Sequence, residues 1–229
     1  MRGYGDRMAI EQGSRVGFPG GSTALVLLSA GAGAMDALVF TELGKVFASV
    51  LTGNLVLLGV AVALPWTDVA GPLTVLGGYT VGIVVAARWC RAERGRRERR
   101  VLQCLVAEAV LVGALAALAM VCGDGFGRAP LLVLASLAMG MQSAAVMAAD
   151  PNSPTTYLTS TFTRFCSDLA ATGKADPWSL ARIAGLVVGA GGAVALGNAT
   201  GWWAFLAPAA LIVAALGFVG RGVRAAAST

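Results

Sequence analysis

The 229-residue sequence contains no histidine, so a His-based metal site and a Ser-His or Cys-His catalytic pair are both excluded. Charge is scarce: 13% of the residues are Asp, Glu, Lys or Arg, against about 25% in a soluble domain. The four cysteines, Cys90, Cys104, Cys122 and Cys166, are scattered without CxxC spacing. That pattern suits small buried residues better than zinc ligands. Lysine is nearly missing, with Lys45 and Lys174 set against fifteen arginines. Apolar residues make up 57% of the chain, 31 glycines accompany them, and the mean hydropathy is +0.75. A soluble globular enzyme, a disordered chain and a nucleic-acid-binding domain are therefore poor readings. One polytopic membrane domain fits, with the lipid bilayer as its first partner and no nucleic acid, metal or cofactor expected.

Eight apolar segments follow a polar tail at residues 1–21: Ser22–Phe40, Val46–Ala63, Ala70–Trp89, Val101–Val121, Pro130–Ala148, Thr155–Thr172, Leu180–Gly197 and Trp202–Gly220. Most reach the ~17–25 residues that cross ~30 Å of hydrocarbon. In lipid they should be helices, because the backbone must satisfy its own hydrogen bonds. Trp66, Trp89, Trp178, Trp202 and Trp203 sit at segment ends, where interfacial tryptophans are expected.

The arginines constrain the topology. Six of them lie within Arg91–Arg100, and cytoplasmic loops carry the excess of Lys and Arg. If all eight segments cross, either this loop or both termini face the wrong side. The conflict disappears if segments 2 and 6 each enter and leave on one face. The expectation is an all-α integral membrane protein with six transmembrane helices, two re-entrant or broken segments, and both termini in the cytoplasm. Segment 6 supports this, since Thr155, Thr156, Thr159, Ser160, Thr161, Thr163, Arg164 and Asp168 make it a poor lipid-facing span.

The halves echo each other. Gly33-Ala34-Met35-Asp36 is set against Met139-Gly140-Met141-Gln142, Thr52-Gly53-Asn54 against Thr159-Ser160-Thr161, and Gly78-xxx-Gly82 against Gly185-xxx-Gly189. With six crossings these become an inverted 3+3 repeat. Residues 22–121, including the basic loop 91–100, form the first repeat; residues 130–220 form the second, and 221–229 a short tail. Transporters built this way hold their solute near the midplane, where broken helices meet.

Ala34-Met35-Asp36-Ala37-Leu38, Leu51-Thr52-Gly53-Asn54, Thr155-Thr156-Tyr157-Leu158-Thr159-Ser160-Thr161 and Arg164…Asp168-Leu169 together resemble the YoaK family. The resemblance runs from about residue 22 to near the end of the chain. It implies a bacterial inner-membrane protein with six transmembrane helices, and it brings no substrate. Ser160 stands where the family has glycine.

Several polar residues are candidates for chemistry. Asp36 lies in the outer half of segment 1, where a carboxylate costs up to ~2.5–3.5 kcal/mol to insert. The Thr52, Gly53, Asn54 and Thr159, Ser160, Thr161 triplets read as breaks whose Thr and Asn side chains cap half-helices. Two such helix ends facing each other would offer free N–H groups and partial positive charge. Gln142, Thr156 and Tyr157 complete the candidate path. Arg164 and Asp168, four residues apart, read as an ion pair that locks or gates, with Gln142 within reach. Glu108 would snorkel to a loop arginine or bind a proton.

An enzyme is not expected. Asp36 and Asp168 fall on opposite sides of the membrane, and Gly123-Asp124-Gly125-Phe126-Gly127 lacks the strand and the lysine of a phosphate loop. The expected function is movement of a small solute or ion, as transporter or channel. The alternative is a membrane scaffold or accessory protein. Homo-oligomerisation is left open.

Overall fold

The computed structural model describes residues 18–64, 67–91, 93–123, 127–150, 155–156 and 158–227, without the side chains of residues 94, 95, 122, 226 and 227. Among the described residues every regular element is helical. Helix α1 is Gly21–Leu38 and passes into a π-helical turn, Val39–Gly44. Helices α2, Leu51–Ala63, and α3, Ala70–Trp89, follow. Helix α4 is Arg94–Cys122 and α5 is Arg128–Ala149. Helix α6 is Thr159–Thr172 and α7 is Pro177–Thr200. A 3-10 turn, Gly201–Phe205, leads into α8, Leu206–Ala227.

Length separates the helices into two kinds. Five stretches are long and apolar enough to cross a membrane: Gly21–Gly44, Ala70–Trp89, Arg96–Val121, Arg128–Ala149 and Pro177–Ala225. The last is 49 residues long and contains both α7 and α8. Helices α2 and α6 have 13 and 14 residues. At ~1.5 Å per residue each extends only ~20 Å, well short of the ~30 Å hydrocarbon core. The expected segments 2 and 6 are therefore helical only in their later parts. The basic stretch 94–100, expected as a loop, is the first two turns of α4.

Two spans are central. In Gly21–Gly44 and Arg128–Ala149, 72% of the most apolar stretch is buried, against 33–39% in the other three. Helix α1 packs on α7 and α8, while α5 packs on α3 and α4; α4 also meets α8. The outer helices turn Val56, Val62, Val110, Val187, Val188 and Trp203 outward, as side chains facing lipid must be.

The tightest crossings rest on glycine. A Cβ on Gly33 would lie 2.2 Å from the Leu186 carbonyl oxygen, and one on Gly140 2.2 Å from that of Tyr79. A Cβ on Gly82 would lie 2.3 Å from the Leu137 carbonyl, and one on Gly189 2.1 Å from that of Ala30. Small residues let membrane helices approach to backbone contact. In each comparison both partners are displaced by the same 107 residues: Gly33 and Gly140, Leu186 and Tyr79, Gly82 and Gly189, Leu137 and Ala30. This register agrees with the expected pairing of Thr52–Asn54 with Thr159–Thr161 and of Gly78 and Gly82 with Gly185 and Gly189, and differs by one residue from that expected for Gly33–Asp36. Asp36 corresponds to Ser143, not to Gln142, because the packed glycine of α5 is Gly140.

The chain reverses after the π turn. Gly44 and Lys45 both have positive φ, 134° and 63°, and residues 45–50 run back beside α1. Stacking of Phe40 on Phe47, with centroids 5.0 Å apart, fastens the reversal. Farther on, Val46 Cγ1 lies against Gly71, the second residue of α3.

Candidate functional site

The short helices begin beside one another, deep in the bundle. Ahead of α2, Ser49 is buried and ties back to α1: its backbone N–H donates to Asp36 Oδ1 at 2.7 Å and its hydroxyl to Asp36 Oδ2 at 2.5 Å. The same hydroxyl oxygen lies 3.3 Å from the carbonyl of Thr156, just ahead of α6. Its single proton serves the shorter contact. Thr156 Oγ1 is in turn 3.3 Å from the Tyr79 hydroxyl on α3. Ser49 and Thr156 are themselves 107 residues apart, so equivalent residues meet where the two halves join.

Each lead-in has its own clamp. Asn54 Nδ2 donates to the Phe47 carbonyl at 2.6 Å, and the Phe47 N–H donates to Asn54 Oδ1 at 3.0 Å. Asn54 therefore closes a ring over the loop. In the second half, Gln142 Nε2 donates to Thr155 Oγ1 at 2.9 Å and lies 3.4 Å from the Leu28 carbonyl. Both amide side chains are fully buried.

A cavity of about 1480 Å³ opens beside this junction. Its polar wall includes Ser49, Thr52, Tyr79, Thr156, Thr159 and Ser160, with Ser143 on α5. Val50, Ile83, Met147 and Leu186 supply apolar wall, and Arg91, Arg97 and Arg164 the charged part. The first turns of α2 and α6 face it, and neither helix has a side-chain N-cap. Their opening N–H groups are thus left without intrahelical partners.

The structure sorts the expected residues. Thr52, Thr156, Thr159, Ser160 and Arg164 line the cavity, whereas Asp36, Gly53, Asn54, Gln142 and Thr161 do not. Asp36 sits behind Ser49, and Gln142 faces Thr155. The Thr52–Asn54 and Thr159–Thr161 triplets are first helical turns, not breaks; the irregular backbone lies just before each. Gly53 admits the Phe47 ring, whose Cδ2 would be 3.2 Å from a Cβ there.

Arg164 and Asp168 are both exposed on α6, and no ion pair joins them among the described residues. Arg164 makes an interaction within the protein, and Arg182, near the start of α7, has Asp176, Asp150 and Arg164 as charged neighbours. Glu108 does not snorkel. It is fully buried on α4, and neither carboxyl oxygen has a hydrogen-bond partner. Tyr157, Trp66 and most of the tail 1–21 lie outside the described residues.

Sequence reasoning missed Ser49, Tyr79, Ser143, Arg91 and Arg97 as cavity residues. Ser49 and Ser143 carried a signal, since each stands at the counterpart of a polar residue already singled out, Thr156 and Asp36. For Tyr79, one aromatic hydroxyl within an apolar span gave no comparable sign.

Two comparisons with known proteins bear on this arrangement. Residues 24–218 match the family described as "Protein of unknown function (DUF1275)". The chain is also 34% identical over 131 residues to "UPF0700 transmembrane protein YoaK" of Bacillus subtilis (strain 168). That alignment takes in 54% of this chain and spans 56% of the relative's length. No solved structure matches. With the family match running through all eight helices and both polar lead-ins, the chain belongs to the DUF1275 family of integral membrane proteins.

Proposed function

We propose that this protein moves a small solute or ion across the bacterial inner membrane, as transporter or channel, rather than catalysing a reaction. In this reading α1, α3, α4, α5, α7 and α8 cross the bilayer. Helices α2 and α6 re-enter it from opposite faces, and the two halves are inverted relative to each other. The observation that carries the reading is the cavity. It is lined where the lead-ins of two helices too short to cross the bilayer meet, at Ser49 and Thr156.

Three features support the topology. The Val46–Gly71 contact brings the start of α3 back to the level at which α1 ended. The charged neighbours of Arg182 include Asp150, which similarly relates the start of α7 to the end of α5. The approach of Gln142 to Leu28 also favours opposite directions for α1 and α5. Were they parallel repeats, Gln142 would be level with Met35, ~10 Å farther along. By the positive-inside rule the basic stretch Arg91–Arg100 favours a cytoplasmic side for the ends of α3, α5 and α8.

The topology test uses single cysteines at Thr41 and Asp68, and at Asn152 and Gly173, in a chain stripped of its native cysteines. An impermeant thiol reagent is applied to intact and opened cells. Each pair should report one face, and the two pairs opposite faces. A pair split between faces removes the re-entrant segment. Flux is then read in proteoliposomes, where Ser160→Trp should block it by filling the cavity. A folded protein that passes neither anions nor cations would return the scaffold reading.

A further inference from the structure

The cavity wall is one-sided in charge. Arg91, Arg97 and Arg164 line it, and among the described residues no carboxylate does. Arg97 and Arg164 each also make an interaction within the protein. The stretch from Arg91 to Arg100 adds further positive charge around the opening, with six arginines against Glu93 and Glu98. Charges of one sign along a cleft with low-dielectric walls concentrate ions of the other sign.

Asp36 lies behind Ser49. Both of its oxygens are taken by Ser49, one by the N–H and one by the hydroxyl, and the side chain is absent from the wall. Opposite it stand two helix N-termini, each equivalent to roughly +0.5 charge. The polar wall carries the hydroxyls of Thr52, Thr159 and Ser160, which can donate to an anion, and first-turn N–H groups of α2 and α6 without side-chain caps; the Tyr79 hydroxyl is paired with Thr156. Hydroxyls and backbone N–H groups suit an anion that has shed part of its water. A cation would find few oxygens there with spare charge.

We infer that the cavity takes a small anion, of the size of nitrate, formate or a short carboxylate, gathered by Arg91, Arg97 and Arg164 and received by the hydroxyls and first-turn N–H groups of α2 and α6. The inference rests on the transport reading for its role, but not for its electrostatics. Asp36 becomes a positioning residue that holds Ser49, not a cation partner.

The experiment separates the two. In phosphatidylcholine proteoliposomes, Thr52→Cys, and separately Ser160→Cys, is placed in the cysteine-free chain. Each is modified with a negatively charged sulfonate thiol reagent and with its positively charged trimethylammonium counterpart. After correction for their rates with a free thiol, the anionic reagent should react about tenfold faster. Arg91→Gln, Arg97→Gln and Arg164→Gln together should remove the preference. Nitrate or formate should slow modification in these vesicles.

A preference for the cationic reagent, or none at both positions, overturns the inference whether or not the protein transports. Protection by added phosphatidylglycerol but not by nitrate or formate overturns the dissolved anion in favour of a lipid headgroup. Flux is read separately as nitrate and formate against potassium. Potassium flux without anion flux overturns the inference and leaves transport standing. An anionic reagent preference without flux of any ion upholds the anion site and removes transport.

Discussion

The two halves of the molecule share a skeleton and differ in chemistry. Backbone contacts recur with a constant displacement of 107 residues, from Gly33 against Leu186 to Gly140 against Tyr79. Buried apolar positions follow suit: Leu105 and Ile212, like Val112 and Val219, are fully buried. Charged residues do not repeat. Asp36 faces Ser49 in one half, while its counterpart Ser143 lines the cavity. Glu108 is matched by Ala215, and the basic stretch beginning at Arg94 by the 3-10 turn beginning at Gly201. Packing is thus the common inheritance of both halves, and charge is what each half has alone.

The sharpest break of this comparison is at the glycines. Gly33→Ala drives a methyl group to 2.2 Å from a backbone carbonyl. Overpacking of this kind costs about 3 kcal/mol, so the purified protein should unfold at clearly lower temperature in detergent. Gly113, in the same membrane but with open space around it, should behave oppositely. Gly113→Ala should gain about 0.5–1 kcal/mol, as glycine does poorly inside a helix. Equal melting temperatures for the two variants would dissolve the distinction between crossing and surface glycines.

Next in size is Asp36. Asp36→Ala strands the buried N–H of Ser49 and leaves its hydroxyl only the longer contact to the Thr156 carbonyl, at a cost of about 2 kcal/mol. Asp36→Asn keeps an acceptor for the N–H and should lose less. If Asp36→Asn keeps its melting temperature but loses all flux, the carboxylate does more than hold Ser49.

Glu108 probes the asymmetry from the other side. Its two oxygens have no partner in an apolar interior, and a buried polar group without a hydrogen bond is costly. Glu108→Leu should therefore raise stability, by about 1 kcal/mol on mutational scales. A fall in melting temperature would show that the carboxyl is engaged.

The smallest effect belongs to Asp176, outside the spans, which caps α7 by accepting from the N–H groups of Trp178 and Ser179. The Ser179 hydroxyl, followed by these N–H groups, holds its carboxyl below the ordinary range. Its stabilisation is complete above about pH 3.9, the unfolded value, and disappears as pH falls through the lower folded one. Because the residue is exposed, Asp176→Ala should cost only about 0.5 kcal/mol at pH 7. The difference should vanish near pH 2, which paired thermal scans would read.

Much of the fold was legible in the sequence because lipid leaves a chain few choices. Apolar length and arginine placement gave eight segments in the right order, with segments 2 and 6 set apart. The TGN and TST triplets were found through their repeated spacing, but their role was misread. Side chains that cap helices also clamp loops, and the choice depends on what stands opposite; Asn54 finds Phe47, which sequence distance alone does not reveal. The one-residue slip in the alignment has a similar origin. Met35-Asp36 and Met141-Gln142 match by residue type, whereas backbone contact recognises only glycine. Cavity residues such as Arg91 and Arg97 were visible merely as a cytoplasmic cluster, because their partner wall, Arg164, is over sixty residues away.

Carbonyl oxygens seated on glycine leave α1 and α7 no freedom to slide past each other, and the same holds for α3 and α5. Counted by independent parts, eight helices reduce to far fewer. Any change of shape that carries the cavity from one face to the other must therefore take place between these two welded pairs, with Ser49 and Thr156 at the seam. A cross-link across the seam should freeze such a motion, whereas one within a pair should pass unnoticed.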